Sequence, residues 1–390
     1  MAPALWDGST ARKRKNEVGT VTTFAVARDR AGFSFVEVLI ALAILISALG
    51  AFAQIAAAGQ RLARSQSEAA DLHQRLRVAV ERIRKDLAQA GAGVVRGPAS
   101  GLSGPLTSYV APILPARLGS RLADAALSAF SDRISIFYAA DGAWPSPLTV
   151  SMADVDQPLF IDPSTPGCPG VGLCGFEEGT RAMLIDTQGA GAGHQVFTVN
   201  GAAGALLHDA PNPRFERAYA AGNSTLIPIV QRTYYFDRSN RRLMLYDGHL
   251  SDMPLIDNVV NVEFSFFVDN AGTSVGRPPD GVSSCLYNPG SPPLPRLGTY
   301  ATVGLHLLTA GEMADGPVCG AGLTAFDGDL LRIRLVRVSL RLDAAADDVR
   351  GSGGLFARPG RSSSGYSHVP DFEITFDVAP RNMVPAPFAK

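Results

Sequence analysis

Glu37 is the first residue whose type and place suggest chemistry. It stands near the start of "GFSFVEVLIALAILISALGAF" (Gly32–Phe52), and no ionisable residue follows from Val38 to Gln60. A carboxylate in an apolar run of this kind costs on the order of 3 kcal/mol to place in a bilayer, so it is a functional candidate by default. Four cysteines form the second candidate set. Cys168 and Cys174 enclose "CPGVGLC", and Cys285 and Cys319 each sit in turn-rich sequence. Four cysteines allow three disulfide connectivities, and the local pairing Cys168–Cys174 with Cys285–Cys319 is the expectation. The alternative is zinc, against which stand the five-residue gap in the first pair and the lack of a nearby histidine. Asp343, Asp347 and Asp348 offer carboxylates to a calcium ion, but their spacing is not that of an EF-hand, and a solvated loop is the plainer reading.

Catalytic patterns are not signalled. The histidines (His73, His194, His208, His249, His306, His368) are scattered, with no H-E-x-x-H pair, and there is no G-x-S-x-G elbow. Ser362–Ser364 with His368 is composition rather than a triad. Gly189, Gly191 and Gly193 are followed by strand-like sequence, which predicts a turn rather than a phosphate cradle. No enzyme, cofactor or metal is expected.

The elements that must position Glu37 begin with the run itself. Val38–Gln60 is about 23 residues, or about 34 Å as a helix, which is enough to cross a bilayer core. Arg12-Lys13-Arg14-Lys15, Arg28 and Arg30 precede it. Positive charge on that side predicts a cytoplasmic N-terminus and a body beyond the inner membrane. An oxidising periplasm would favour disulfides. The run is too long for a cleaved secretory signal, so a plain uncleaved anchor is the simplest alternative. Over the whole chain, 35 Lys+Arg balance 36 Asp+Glu, so nucleic-acid binding is not indicated.

Helical periodicity continues beyond Gln60. Leu62, Ala69, Leu76, Ile83 and Ala90 recur every seven, with Leu72, Val80 and Leu87 interleaved, which predicts one amphipathic helix from about Phe33 to about Ala90. Asp71–Arg75 and Glu81–Lys85 are expected as i,i+4 pairs on its exposed side. Gly91-Ala92-Gly93 and Gly97-Pro98 end it.

Gly32-Phe33-Ser34-Phe35-Val36-Glu37 followed by the apolar run resembles the type IV pilin-like (prepilin) family. The resemblance implies that a membrane-bound prepilin peptidase cuts between Gly32 and Phe33 and then methylates the new Phe33 amine. It also implies that Glu37 is an assembly residue. A carboxylate four residues from a new cationic terminus can neutralise a neighbouring subunit's amine, and buried charges are tolerable when paired. The ending "RIRKDLAQAG" (Arg82–Gly91) resembles the PilW group of minor pilins and the related GspJ minor pseudopilins of type II secretion. Gln54 stands near where many major pilins carry proline.

Beyond residue 93 the period is two. Ile134, Ile136 and Tyr138 alternate with Arg133, Ser135 and Phe137, and Thr180–Thr187 and Gln195–Val199 are short strand candidates. "YYFDRSNRRLMLYDG" (Tyr234–Gly248) predicts a hairpin turning at Arg238–Arg241. Val260, Val262, Phe264, Phe266 and Val268 predict a half-buried strand. In the arginine-rich strand the apolar register shifts from Leu331, Ile333 and Leu335 to Val336, Val338, Leu340 and Leu342, which predicts a β-bulge near Leu335. Phe372, Ile374, Phe376 and Val378 make a last strand. Arg332, Arg334, Arg337 and Arg341 read as the solvent face of a sheet, with a DNA-binding stripe as the alternative. Asn270–Gly298 and Ala344–Pro370 read as long loops.

The expected fold class is α+β: a long N-terminal helix packed on an antiparallel head, the type IV pilin shape by resemblance. The expected divisions are a leader (1–32), a membrane and filament-core half-helix (33–60), an amphipathic half-helix (61–92) and a periplasmic head with disulfide-pinned loops (93–390). The resemblance implies a minor pilin that is processed at the inner membrane, is incorporated at the tip of a surface type IV pilus and primes assembly of the filament for motility, adhesion or DNA uptake. Its partners would be the prepilin peptidase, other minor pilins and the major pilin. A GspJ-like pseudopilin in a periplasmic pseudopilus is the alternative, and an anchored periplasmic binding protein is the reading from another class.

Overall fold

The computed structural model of the chain describes residues 32–93, 106–119, 121, 123–164, 168, 173–186, 193–202, 204–208, 215–270, 275–300, 304–320, 322–347, 349–350 and 369–383. Residues 1–31 of the leader, Gly97-Pro98, Gly189, Gly191, Asp348, Ser362–Ser364 and His368 lie outside the described residues. The chain divides into two compact units, Met1–Ala58 and Gly59–Lys390. One 55-residue helix, α1 (Phe35–Gln89), contributes to both.

In the first unit α1 is apolar on every side. Leu39, Ile40, Leu42, Ile44, Leu45, Ile46, Leu49, Phe52 and Ile55 are all exposed. A helix that is hydrophobic all round and has no polar face suits a non-aqueous surrounding. By length and composition it is long and apolar enough to cross a membrane.

In the second unit α1 is amphipathic. Leu72, Leu76, Ala79, Val80, Ile83 and Leu87 are buried along one stripe, and Leu62 is not, being 39% exposed. Arg75 pairs with Asp71 at 2.7 Å but also reaches the Asp257 carbonyl at 3.1 Å, so it is a tie to the body rather than an exposed partner. Glu81 and Lys85 are both exposed, and no ion pair joins them among the described residues. The helix ends at Gly91, whose φ of +71° is the left-handed cap conformation. Its N–H donates to the Phe137 carbonyl at 2.9 Å, and a Cβ there would lie 2.8 Å from the Thr107 methyl. Glycine is therefore required where helix hands over to sheet.

The strands that matter are β1 (Arg133–Ala139), β2 (Arg181–Asp186), β3 (His194–Ala202), β4 (Ser224–Asp237), β5 (Arg242–Tyr246), β6 (Asp252–Asp257), β7 (Val259–Val268), β8 (Ile333–Leu342) and β9 (Phe372–Val378). A nine-stranded sheet runs Ile113–Leu114, β1, β4, β2, β3, Leu206–His208, with β5 and β6 continuing from β4 and Ser146–Pro147 pairing on β4 as well. A four-stranded sheet runs His306–Leu307, β7, β8, β9. Every pairing between these strands is antiparallel. The class is α+β.

β4 is the spine of the larger sheet. Its second half pairs with β1 and β5, and its first half with β2 and Ser146–Pro147. Pro228, which has no N–H, sits where the partners change, a place where a ladder donor is not needed. The β4–β5 hairpin turns at Arg238–Arg241, where Asp237 accepts from the Ser239 and Asn240 N–H groups.

Three expectations need correction. Leu331 is not in a strand but in a short 3-10 helix, Gly328–Arg332, capped by Asp327. Val260 does not face the core: a register shift between Val259 and Asn261 turns Val259 inward instead. β1 is buried on both faces, so Ser135 is not a solvent residue. It donates to the Ala116 carbonyl at 2.7 Å and lies 2.8 Å from the Thr233 hydroxyl. The second shift, from Leu335 opposite Phe267 to Ile333 opposite Val268, leaves Arg334 as the extra residue of the bulge.

One buried acid fixes α1 against β1 and β4. Asp86, 1% exposed, accepts from Tyr234 Oη at 2.5 Å and Tyr138 Oη at 3.2 Å, and Arg82 Nε lies 3.3 Å away. Burial, with the Asp86 charge adding to it, raises the pKa of both tyrosines, so they remain donors throughout the ordinary pH range. Replacing Asp86 strands two buried hydroxyls and a guanidinium. Asp86→Ala is expected to destabilise the head by on the order of 3 kcal/mol, and Asp86→Asn by less, in urea unfolding followed by tyrosine fluorescence. Equal stability of Asp86→Ala and wild type would show that the network is dispensable.

Candidate functional site

The start of α1 gathers Gly32, Phe33 and Glu37. Gly32, Phe33 and Ser34 lie outside any helix or strand and are exposed, Phe33 at 87%. A Cβ at Gly32 would meet nothing within 4 Å, so the bond between Gly32 and Phe33 is open on that side. The first helical hydrogen bond runs from Val38 N to the Ser34 carbonyl at 3.2 Å. Glu37 is not idle in the single chain: its Oε2 accepts from Ser34 N at 3.0 Å, and Ser34 Oγ accepts from Val36 N at 3.3 Å. Such a carboxylate at a helix N-terminus satisfies an orphan donor and complements the helix dipole. Ser34 has no role in the sequence reading, although S-x-x-E before an apolar run is itself a signal of a helix start.

In the second unit the cysteines form two disulfides, Cys168–Cys174 and Cys285–Cys319, with Cα atoms 4.7 and 5.1 Å apart. The second joins the Asn270–Gly298 segment, which carries a small hairpin of Tyr287–Asn288 with Leu294–Pro295, to the strand Val318–Cys319.

The four arginines of the β8 region are not one solvent face. Arg332, 3% exposed, donates to the Asp269 and Gly298 carbonyls, the Asn270 side chain and Asp329. Arg334 pairs with Asp269 at 3.2 Å and donates to the Met383 carbonyl at 2.6 Å, and burial lowers its pKa. Arg341 binds Asp371, and only Arg337, in a two-point contact with Asp377, is well exposed. The strand binds its own loops and neighbour, so the charge that a DNA stripe would use is already committed. Asp343 and Asp347 lie in a loop, as expected, with Asp347 exposed, and arginines rather than water alone meet their carboxylates. Asp343 is held by Arg241 and Arg350, and Asp347 lies 2.8 Å from Arg350.

A different set of acids comes together. Asp315, Asp327 and Asp329 bring carboxylate oxygens within 4.8 Å of one another. Their lone pairs are partly taken: Asp327 accepts from Gly316 N at 2.6 Å and Asp329 N at 2.8 Å, and Asp329 accepts from Arg332 at 3.0 Å. Sequence spacing hid this group because Asp315 is far from the other two in the chain. Burial, against those two N–H donors, pushes the Asp327 carboxyl up to about 6, and burial raises Asp329 as well. His194 is another perturbed group. It is buried, its Nε2 has no hydrogen-bond partner among the described residues, and burial lowers it to about 4.

Comparison of the chain with protein-family models, with curated proteins and with solved structures gives no match.

Asp327 and His194 act oppositely on stability. The folded Asp327 binds its proton more tightly than the unfolded one, so it favours folding as pH falls through 6 towards 4. The folded His194 binds its proton less tightly than the unfolded one, so stability is lost as pH falls from 6.5 towards 4. Each effect reaches on the order of 2–3 kcal/mol, and in wild type they offset. Thermal unfolding at pH 7 and pH 4.5 is expected to show a larger acid loss in Asp327→Asn than in wild type, and a smaller loss or a gain in His194→Phe. Parallel pH profiles for all three would refute the assignment.

Proposed function

We propose that the chain is a minor pilin of the PilW kind. A prepilin peptidase cuts it between Gly32 and Phe33 and methylates the Phe33 amine. The processed subunit, held at the inner membrane by the apolar part of α1 with its head in the periplasm, then joins other minor pilins and the major pilin at the tip of a type IV pilus, where it primes assembly. The observation that carries this reading is the lone carboxylate of Glu37 at the start of an exposed, otherwise uncharged and largely apolar helix segment, four residues beyond an accessible Gly-Phe bond. The fold proposed with it is the type IV pilin fold. The α+β architecture and the amphipathic second part of α1 against a sheet support it. No catalytic role is proposed for the head. The helix ending is shared with GspJ-like pseudopilins. A deletion strain that loses surface pili and twitching points to the pilus, and one that loses exoprotein secretion points to the type II system.

Glu37→Ala tests the assembly role. The variant is expected to insert in membranes with an unaltered head, yet to fall at least about tenfold in sheared filament fractions, since losing one partner of a buried ion pair costs on the order of 3 kcal/mol. Wild-type recovery of Glu37→Ala in those fractions would remove the assembly role.

A further inference from the structure

The proposed pairing of Glu37 with a neighbour's amine leaves unexplained why the carboxylate is engaged within its own helix start. Ser34 Oγ accepts from Val36 N while Glu37 Oε2 accepts from Ser34 N, at 3.3 and 3.0 Å. With Ser34 as the N-cap and Glu37 as the third helical residue, Glu37 reaches back to the Ser34 N–H as in a capping box, while Ser34 Oγ caps the N–H of Val36, the second helical residue. Phe33, just before the cap, and Val38, in the next turn, border one groove of the helix surface, the positions of a hydrophobic staple. Helix growth from an apolar run adds one hydrogen bond for each residue fixed, so growth continues until something stops it. The box is the stop. An N-cap residue has a non-helical backbone, and α1 accordingly begins at Phe35, with Gly32–Ser34 outside it.

The placement relative to the proposed cleavage matters because a peptide read by its backbone is bound extended. A bond drawn into the helix would have its carbonyl and N–H groups engaged in the ladder and its side chains wound round the axis. Hydrolysis there adds water across the amide. Gly32 leaves as a carboxylate and Phe33 as an amine, and the peptidase supplies the catalytic groups.

We infer that Ser34 is a positioning residue for processing: with Glu37 it ends the helix before Phe33 and presents the Gly32–Phe33 bond in extended form to the peptidase. The inference rests on the proposed function and adds a role for a residue that reading does not use. Glu37 then serves twice, first closing its own helix start in the precursor and later meeting a neighbour's amine.

The test is a time course of cleavage of the full-length chain, in detergent-solubilised membranes with prepilin peptidase, read by mass spectrometry of the N-terminus. Ser34→Ala is expected to be cut about three- to tenfold more slowly, the scale of a lost N-cap. Ser34→Thr and Glu37→Gln keep the box and are expected within about twofold of wild type. Ser34→Ala/Glu37→Ala is expected to be no slower than the slower single variant, because both remove one device. Ser34→Ala cut at the wild-type rate, beside a wild type cut at Gly32–Phe33, overturns the inference alone. Effects of Ser34→Ala and Glu37→Ala that multiply independently also overturn it, since the peptidase would then read each side chain directly. A wild-type chain left uncut at this bond overturns the proposed function, and the inference with it.

Discussion

The buried carboxylate of Asp86 is the contact on which the head depends. A charge removed from water must be given donors or it destabilises the fold by several kcal/mol. Two tyrosine hydroxyls from adjacent strands and Arg82 from the preceding turn of the same helix supply that need. Apolar packing along Leu72, Leu76, Ile83 and Leu87 would hold the helix but tolerate small rotations. Hydrogen bonds to Tyr138 and Tyr234 do not. They fix which side of α1 faces the sheet and therefore which side remains exposed. Tyr234 lies on β4, the strand that joins both parts of the larger sheet, so the helix is registered against the whole layer.

The same problem, an acid away from bulk water, is met three times in three ways. Asp86 is served by side-chain hydroxyls, Asp327 by backbone N–H groups at a loop and a short helix start, and Glu37 by the backbone at the start of α1. Each solution has a different consequence. The tyrosines lock packing. Burial, only partly offset by the N–H pair, leaves the Asp327 carboxyl at about 6. The helix cap leaves Glu37 satisfied yet exposed at the edge of an apolar segment, where a stronger cation can compete for it. That exposure is what the proposed encounter between subunits requires.

Much of the local structure could be read in the sequence because its causes are local. The long helix followed from heptad spacing, the β4–β5 hairpin from polar turn residues between alternating runs, and the bulge at Arg334 from a one-residue change of apolar register. The misreadings have non-local causes. Arg332 and Arg334 look like exposed strand residues until the Asp269–Asn270 segment and the end of the chain wrap over them and offer carbonyls. Asp86 sits on the buried stripe, three residues after Ile83, and its spacing alone could have marked it. Its tyrosine partners, though, are far along the chain. The Asp315 group forms only because the Gly316–Pro317 turn is drawn to Asp327. At the helix start the S-x-x-E spacing is local and legible, and it gives Glu37 a part in ending the helix besides being a charge in an apolar run.

The central claim is that this chain is a processed filament subunit, and the N-terminus of the mature protein tests it most directly. Mass spectrometry of the chain from cells with and without prepilin peptidase should find N-methylated Phe33 at the N-terminus only when the peptidase is present. A chain that keeps residues 1–32 in both strains, or is cut elsewhere, would contradict the account and leave an anchored protein with a capped helix.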